Sequence, residues 1–151
     1  MNLDSKRAAL FAGLWFWFAG NAIAAGESAI RIENQWVREA PPMASMLAGY
    51  LQITNTTDNV AVLVGVSSPE FRKVEIHRTE MVDDIARMIR QERIAVPANR
   101  ALVFEPGSYH LMLMMPTLPL SAGDTVSFRV EFEGGQSVDV DAPVKRAASP
   151  N

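Results

Sequence analysis

From residue 29 onward, the chain reads as short alternating runs of apolar and polar residues separated by turn formers. The runs cover 29–38, 47–54, 60–66, 71–78, 87–96, 100–105 and 109–114, with Pro, Gly, Asn or Asp concentrated in most of the gaps. A period of two sends successive side chains to opposite faces of a strand, so each run predicts a strand with one face turned to a core. The clearest pair spans 125–144. There Phe128, Val130 and Phe132 alternate with Ser127, Arg129 and Glu131, Gly134-Gly135 supplies a turn, and Val138 and Val140 resume the alternation. This predicts a β-hairpin with a Gly-Gly connection. No window holds a 3.6-residue apolar period over three turns. Eight or nine short strands at this spacing predict an all-β sandwich or Greek-key barrel.

The first 25 residues break the pattern. Lys6 and Arg7 precede an apolar run from Ala8 to Phe18, and Ala22-Ile23-Ala24 fits an A-x-A cleavage site, with cutting after Ala24 or Ala25. This predicts a cleavable secretory signal peptide over 1–25, since the run is short for a span of about 20 residues. Residues 26–151 then form one β-domain, in which 139–151 ends in a short flexible tail. Without Lys6, Arg7 and Asp4, the 14 basic and 17 acidic residues of the chain leave a net charge of −4. That balance, with no basic arm, argues against nucleic acid as a partner. No later segment is apolar enough to enter a membrane. The chain has no cysteine, so it offers neither disulfides nor a thiolate nucleophile or ligand. A domain of this size can bury a sufficient core without them.

Strand 109–114 does not look like an ordinary solvated strand. Leu111, Leu113 and Met115 share a face suited to the core, while His110, Met112 and Met114 occupy the face where Lys, Thr or Glu would be usual. In 71–78, Val74 and Ile76 point inward, which puts His77 outward with Lys73 and Glu75. Both histidines are therefore expected on exposed polar faces, where packing does not require them. They are the only two in the chain, and five of the eight methionines lie between 81 and 115. Methionine is ordinarily core filler, and Met43, Met46 and Met115 are read that way. Trp36, Tyr50 and Phe104 are read as packing residues.

His110 and Met112 stand about 7 Å apart at their bases. They can lean onto one ion or remain plain surface, and the residues alone leave both open. An ion held by imidazole and thioether would be soft: Cu(I) suits these donors, whereas Mg and Ca want oxygen. A structural zinc site needs about four Cys or His ligands, and a blue-copper site needs a thiolate. Enzyme readings have little support. No Cys or His–Asp spacing stands out for nucleophilic catalysis, adjacent Asp83 and Asp84 are expected in a turn, and there is no glycine-rich phosphate loop.

The spacing of these residues resembles that of the periplasmic PCuAC-type copper chaperones. Their motif is a His, ten residues, a Met, twenty-one residues, then His-x-Met. Here His77 is followed by ten residues and Met88, then by twenty-one residues and His110-Leu111-Met112. Segments 36–42, 49–55 and 106–114 are also similar to the family's. The resemblance implies a cupredoxin-like Greek-key β-barrel or sandwich that holds one Cu(I) through His77, Met88, His110 and Met112. It further implies a chaperone that delivers copper to respiratory oxidases, and the chain is expected to be a non-enzymatic monomer. The acceptor would be the copper-bearing (CuA) subunit of cytochrome c oxidase or a Sco-type protein. Three positions depart from the family. Arg78 follows His77 where a Met is common, Asp84 stands at a turn position usually held by glycine, and the C-terminal residues carry no His or Met. Two other readings remain: a periplasmic copper buffer without a specific acceptor, and a metal-free β-sandwich adaptor.

Overall fold

Within residues 29–146, which the computed structural model describes, the alternating runs form ten strands. These are β1 (Ile30–Arg38), β2 (Met46–Asn55), β3 (Ala61–Ser67), β4 (Phe71–Val82), β5 (Ile85–Gln91), β6 (Ile94–Val96), β7 (Arg100–Phe104), β8 (Tyr109–Pro116), β9 (Thr125–Phe132) and β10 (Ser137–Lys145). The signal peptide expected over 1–25 lies outside the described residues. No helix among the described residues is long and apolar enough to cross a membrane.

Hydrogen bonding orders the strands β5-β4-β8-β7-β2-β1-β10-β9-β3-β6, and the first half of β2 also pairs directly with β8. Most neighbours are antiparallel. β1 and β10 run parallel through Val37–Val144 and Arg38–Lys145, and this join links two layers. Leu51, Ile53, Ile76, Leu111 and Leu113 of one layer meet Leu63, Val66, Phe128 and Val130 of the other in a single core. Each such fully buried side chain contributes about 1.5–3 kcal/mol. The result is the expected all-β Greek-key architecture in its sandwich form, since the ladder stays open at β5 and β6. Close approach is needed at Gly49 on β2. A Cβ there would stand 3.3 Å from both Leu111 Cβ and Phe128 Cζ, so glycine lets β2 lie tightly beside the strand that carries His110 and Met112.

Several expectations need correction. The run 87–96 is two strands: β5 pairs with β4, then the chain bends at Glu92-Arg93 and β6 pairs with β3 in the other layer. Both oxygens of Glu133 accept from Arg93 Nη2, at 2.7 and 2.8 Å, and pin this corner. Alternation within one run cannot reveal a change of layer. The hairpin expected over 125–144 forms, with β10 running to Lys145 and pairing with β9 as far as Pro143, and the last residues, 147–151, lie outside the described residues. Met43, Met46 and Met115 are not core filler. Met43 is 98% exposed in a turn at φ 70°, and Met46 and Met115 are also exposed. Met115 has φ 54°, and this left-handed residue breaks the pleat that would have turned it inward. The Asp83-Asp84 turn is present. Both residues have positive φ (52° and 59°) between the paired Val82 and Ile85, the geometry of a two-residue type I′ hairpin. Asp tolerates that region better than most residues. Gly134 and Gly135 close the β9–β10 hairpin at φ 86° and 88°.

Candidate metal centre

β4 and β8 are antiparallel neighbours whose register sets His77 opposite His110, Glu75 opposite Met112 and Lys73 opposite Met114. Directly opposed residues share a face, with their bases about 4.5–5.5 Å apart. The two imidazole rings lie 5.9 Å apart between centroids. On one side of this pair, β5 sets Met88 opposite Thr79 and Arg90 opposite His77. On the other, β2 sets Ala48 opposite Met112. The four residues picked out by spacing therefore lie on one sheet face. His77, His110 and Met112 sit on adjacent strands, and Met88 stands one strand further out on β5, 61% exposed. A groove of about 460 Å³ runs over this face, with Met88, His110, Met112, Met46, Tyr50 and Thr79 among its lining residues.

The predicted face is correct, but the predicted exposure of the histidines is not. His77 is 9% exposed and His110 7%. The outer face carries a second layer of cover here. Tyr50, itself buried and stacked on Trp36 at 4.8 Å, walls the groove together with the Pro106-Gly107 turn. Tyr50 and Trp36 thus pack against each other as expected, though Tyr50 lines the groove over the candidate centre instead of filling the sandwich interior.

Hydrogen bonds occupy one nitrogen of each ring. His77 Nε2 lies 2.9 Å from Glu75 Oε2, and His110 Nδ1 lies 3.2 Å from the carbonyl oxygen of Ser108. His77 Nδ1 is buried and has no partner. Leaving such a group unsatisfied costs about 1–3 kcal/mol. The other oxygen of Glu75 receives Lys73 Nζ at 2.7 Å and Arg90 Nη1 at 3.3 Å. Hydrogen bonds from Lys73 and His77 hold the Glu75 carboxyl at a pKa of about 2, well below the ordinary 4.5. Sequence reasoning treated Glu75 only as a polar strand residue. Its position two before His77 on the same face was the available signal. Arg78 places its guanidinium 5.3 Å from the Tyr109 ring centroid and 3.5 Å from Glu80, so that cation is engaged with those partners.

Among the described residues, no three of His, Cys, Asp and Glu are arranged to hold a metal. The imidazoles and thioethers that share this face are donors suited to a soft ion more than to Mg or Ca.

A protein-family model, "Putative lipoprotein LpqE-like", matches residues 30–144. "Putative lipoprotein Lxx21020" of Leifsonia xyli subsp. xyli is 28% identical over 123 residues, which cover 81% of this chain and 73% of that protein. Among solved structures, the copper-bound PCuAC domain from PmoF2 superposes with a TM-score of 0.66 at 25% identity, over 79% of this chain and 94% of that one. The Cu(I) form of DR1885 from Deinococcus radiodurans superposes at 0.58 with 27% identity, over 83% and 85% of the two chains.

Proposed function

We propose a copper-carrying function for this chain, which belongs to the LpqE-like family and has the cupredoxin-like fold of the PCuAC domains. It holds one Cu(I) ion through His77, Met88, His110 and Met112 and passes it on by ligand exchange. One observation carries this reading. Two nearly buried imidazoles face each other across β4 and β8, one with a buried unpartnered nitrogen, and thioethers share their face. Imidazole and thioether together suit Cu(I). The copper-bound and Cu(I)-bound states of the two similar structures support the same ion.

The ligands are unequally accessible. Both histidines are enclosed, whereas Met88 stands in solvent at the rim of the groove. An acceptor can therefore displace the Met88 thioether first while the imidazoles still hold the ion. Neutral ligands leave the charge of Cu(I) uncompensated, and a pair of thiolates neutralises it, so transfer runs toward a dithiol. The acceptor is the copper-bearing subunit of cytochrome c oxidase or a Sco-type protein in the periplasm, which the chain reaches by its cleavable signal peptide. The lipoprotein descriptions of the family and its relative support a place outside the cytoplasm.

Anaerobic Cu(I) titration against a competing chelator should give one ion per chain, with strong preference over Zn(II). Copper-loaded protein mixed with an apo dithiol acceptor should transfer faster than it releases copper to a trap. No copper binding would favour the metal-free adaptor. Transfer only at the release rate would favour the buffer.

A further inference from the structure

The hydrogen bonds around the two histidines leave a different ring nitrogen free on each: Nδ1 of His77 and Nε2 of His110. Glu75 is ion-paired through Oε1 with Lys73 and Arg90, and as a carboxylate it can only accept, so the atom facing its Oε2 at 2.9 Å, His77 Nε2, must carry a proton. A second proton on Nδ1 would be a buried N–H with no acceptor. A bare lone pair at Nδ1 is the cheaper state. At His110 the partner is the carbonyl oxygen of Ser108, again only an acceptor, so there the proton sits on Nδ1.

We infer that Glu75 is a positioning residue that fixes His77 in the Nε2–H tautomer, so that copper is taken by Nδ1 of His77 and by Nε2 of His110. This rests on the copper-carrying reading above. The Glu75 carboxylate is suited to the task because its Oε1 is held by Lys73 and Arg90, leaving Oε2 for the imidazole. It is also a hard oxygen donor already engaged, and so a poor competitor for soft Cu(I). Carboxylates that orient ligating histidines in this way are common around metal sites, and losing one typically costs about 10–100-fold in affinity.

Long-range 1H–15N correlation spectra of the uniformly labelled full chain read the tautomers directly, and two histidines make the spectrum simple. Without metal, at a pH where both rings are neutral, His77 should show the Nε2–H tautomer and His110 the Nδ1–H tautomer. Added Cu(I) should then perturb His77 Nδ1 and His110 Nε2. Glu75→Ala should mix the His77 tautomers and weaken Cu(I) binding about 10–100-fold. Glu75→Gln, whose amide oxygen can still accept from Nε2, should restore the tautomer and most of the affinity. A proton on Nδ1 of His77 in the metal-free wild type would overturn the inference, and so would loss of its Nε2 proton when Cu(I) is added. If the wild type shows the expected tautomers but binds no Cu(I), the carrier reading fails instead. The wild-type spectra decide the matter even if a Glu75 variant does not fold.

Discussion

Two buried polar sites in this sandwich are built on opposite plans. At the end of β2, the fully buried Asn55 uses both ends of its amide. Its nitrogen donates to the carbonyls of Asn59, Val96 and Pro97 at 2.7, 3.0 and 3.3 Å, and its oxygen accepts from the Thr57 amide and hydroxyl at 3.0 and 2.8 Å. On β4, His77 is nearly as deep but leaves Nδ1 without a partner. Folding alone rewards the first arrangement, since a satisfied buried network rigidifies what it joins. It penalises the second. A polar atom kept buried and unpaired needs an explanation, and a bound ion supplies one; that contrast separates a structural clasp from a candidate centre.

The largest expected effect lies in copper affinity. Replacing His110 by Ala removes a proposed ligand and should lower Cu(I) affinity by more than the roughly 100-fold that bounds outer-shell changes. His77→Leu should do the same while shifting the stability of the metal-free protein by less than about 1 kcal/mol. It loses one hydrogen bond but also removes an orphaned polar atom, and these terms oppose each other. Chelator competition and urea unfolding of the same samples give both numbers. A His77→Leu variant that binds copper normally, or that barely folds, would erase the distinction drawn from Nδ1.

Asn55→Ala should behave in reverse. It strands the Thr57 amide and the Val96 carbonyl in a dry site and should cost on the order of 3 kcal/mol, seen as a fall in melting temperature of about 10 °C. Copper affinity of the folded fraction should not change, because Asn55 pairs with Arg100 and Ile30 at the opposite end of β2 from Met46 and Ala48.

Much of the candidate centre was legible because it depends on parity and spacing. Alternation within 71–78 and 109–114 sufficed to place His77, His110 and Met112 on one face, and the β4–β8 register put them side by side. What sequence could not supply was everything contributed from a distance. The histidines were expected in solvent, yet Tyr50 on another strand and the turn at Pro106-Gly107 help enclose their face. Asn55 drew no notice because its partners come from two separate loops, around 57–59 and 96–97. The break between β5 and β6 is a change of layer, which a continuous alternating run does not record. Met115 failed for a local reason, a left-handed backbone that its residue type gives no cause to expect.

Methionines sharpen the comparison at smaller amplitude. Met88 and Met43 are both exposed, but only Met88 lies on the histidine face. Met88→Leu keeps the volume and removes the sulfur, and should weaken Cu(I) binding about tenfold, the low end for a metal-site partner. Met43→Leu should leave affinity unchanged in the same assay. Equal losses would mean that thioether exposure alone, and not position on the face, governs binding.

The smallest effect concerns acid stability and isolates Glu75 from any metal. In the unfolded chain this carboxyl titrates near 4.5, whereas in the fold it stays ionised down to about 2. Between those values the unfolded state binds more protons, so stability falls as pH falls. The contribution is complete above about pH 4.5 and gone below about 2. Asp139 is also lowered, by its hydrogen bonds with Arg129 on the β9–β10 hairpin, and serves as a matched control remote from the histidine face. Urea midpoints of the metal-free protein, followed from pH 4.5 to 2.5, should drop less steeply in Glu75→Gln than in wild type. Asp139→Asn should flatten the curve too, from a carboxylate paired with Arg129 and not with His77. If Glu75→Gln follows the wild-type slope throughout, Lys73 and His77 do not hold the carboxylate in solution, and the contact assigned to His77 Nε2 loses its support.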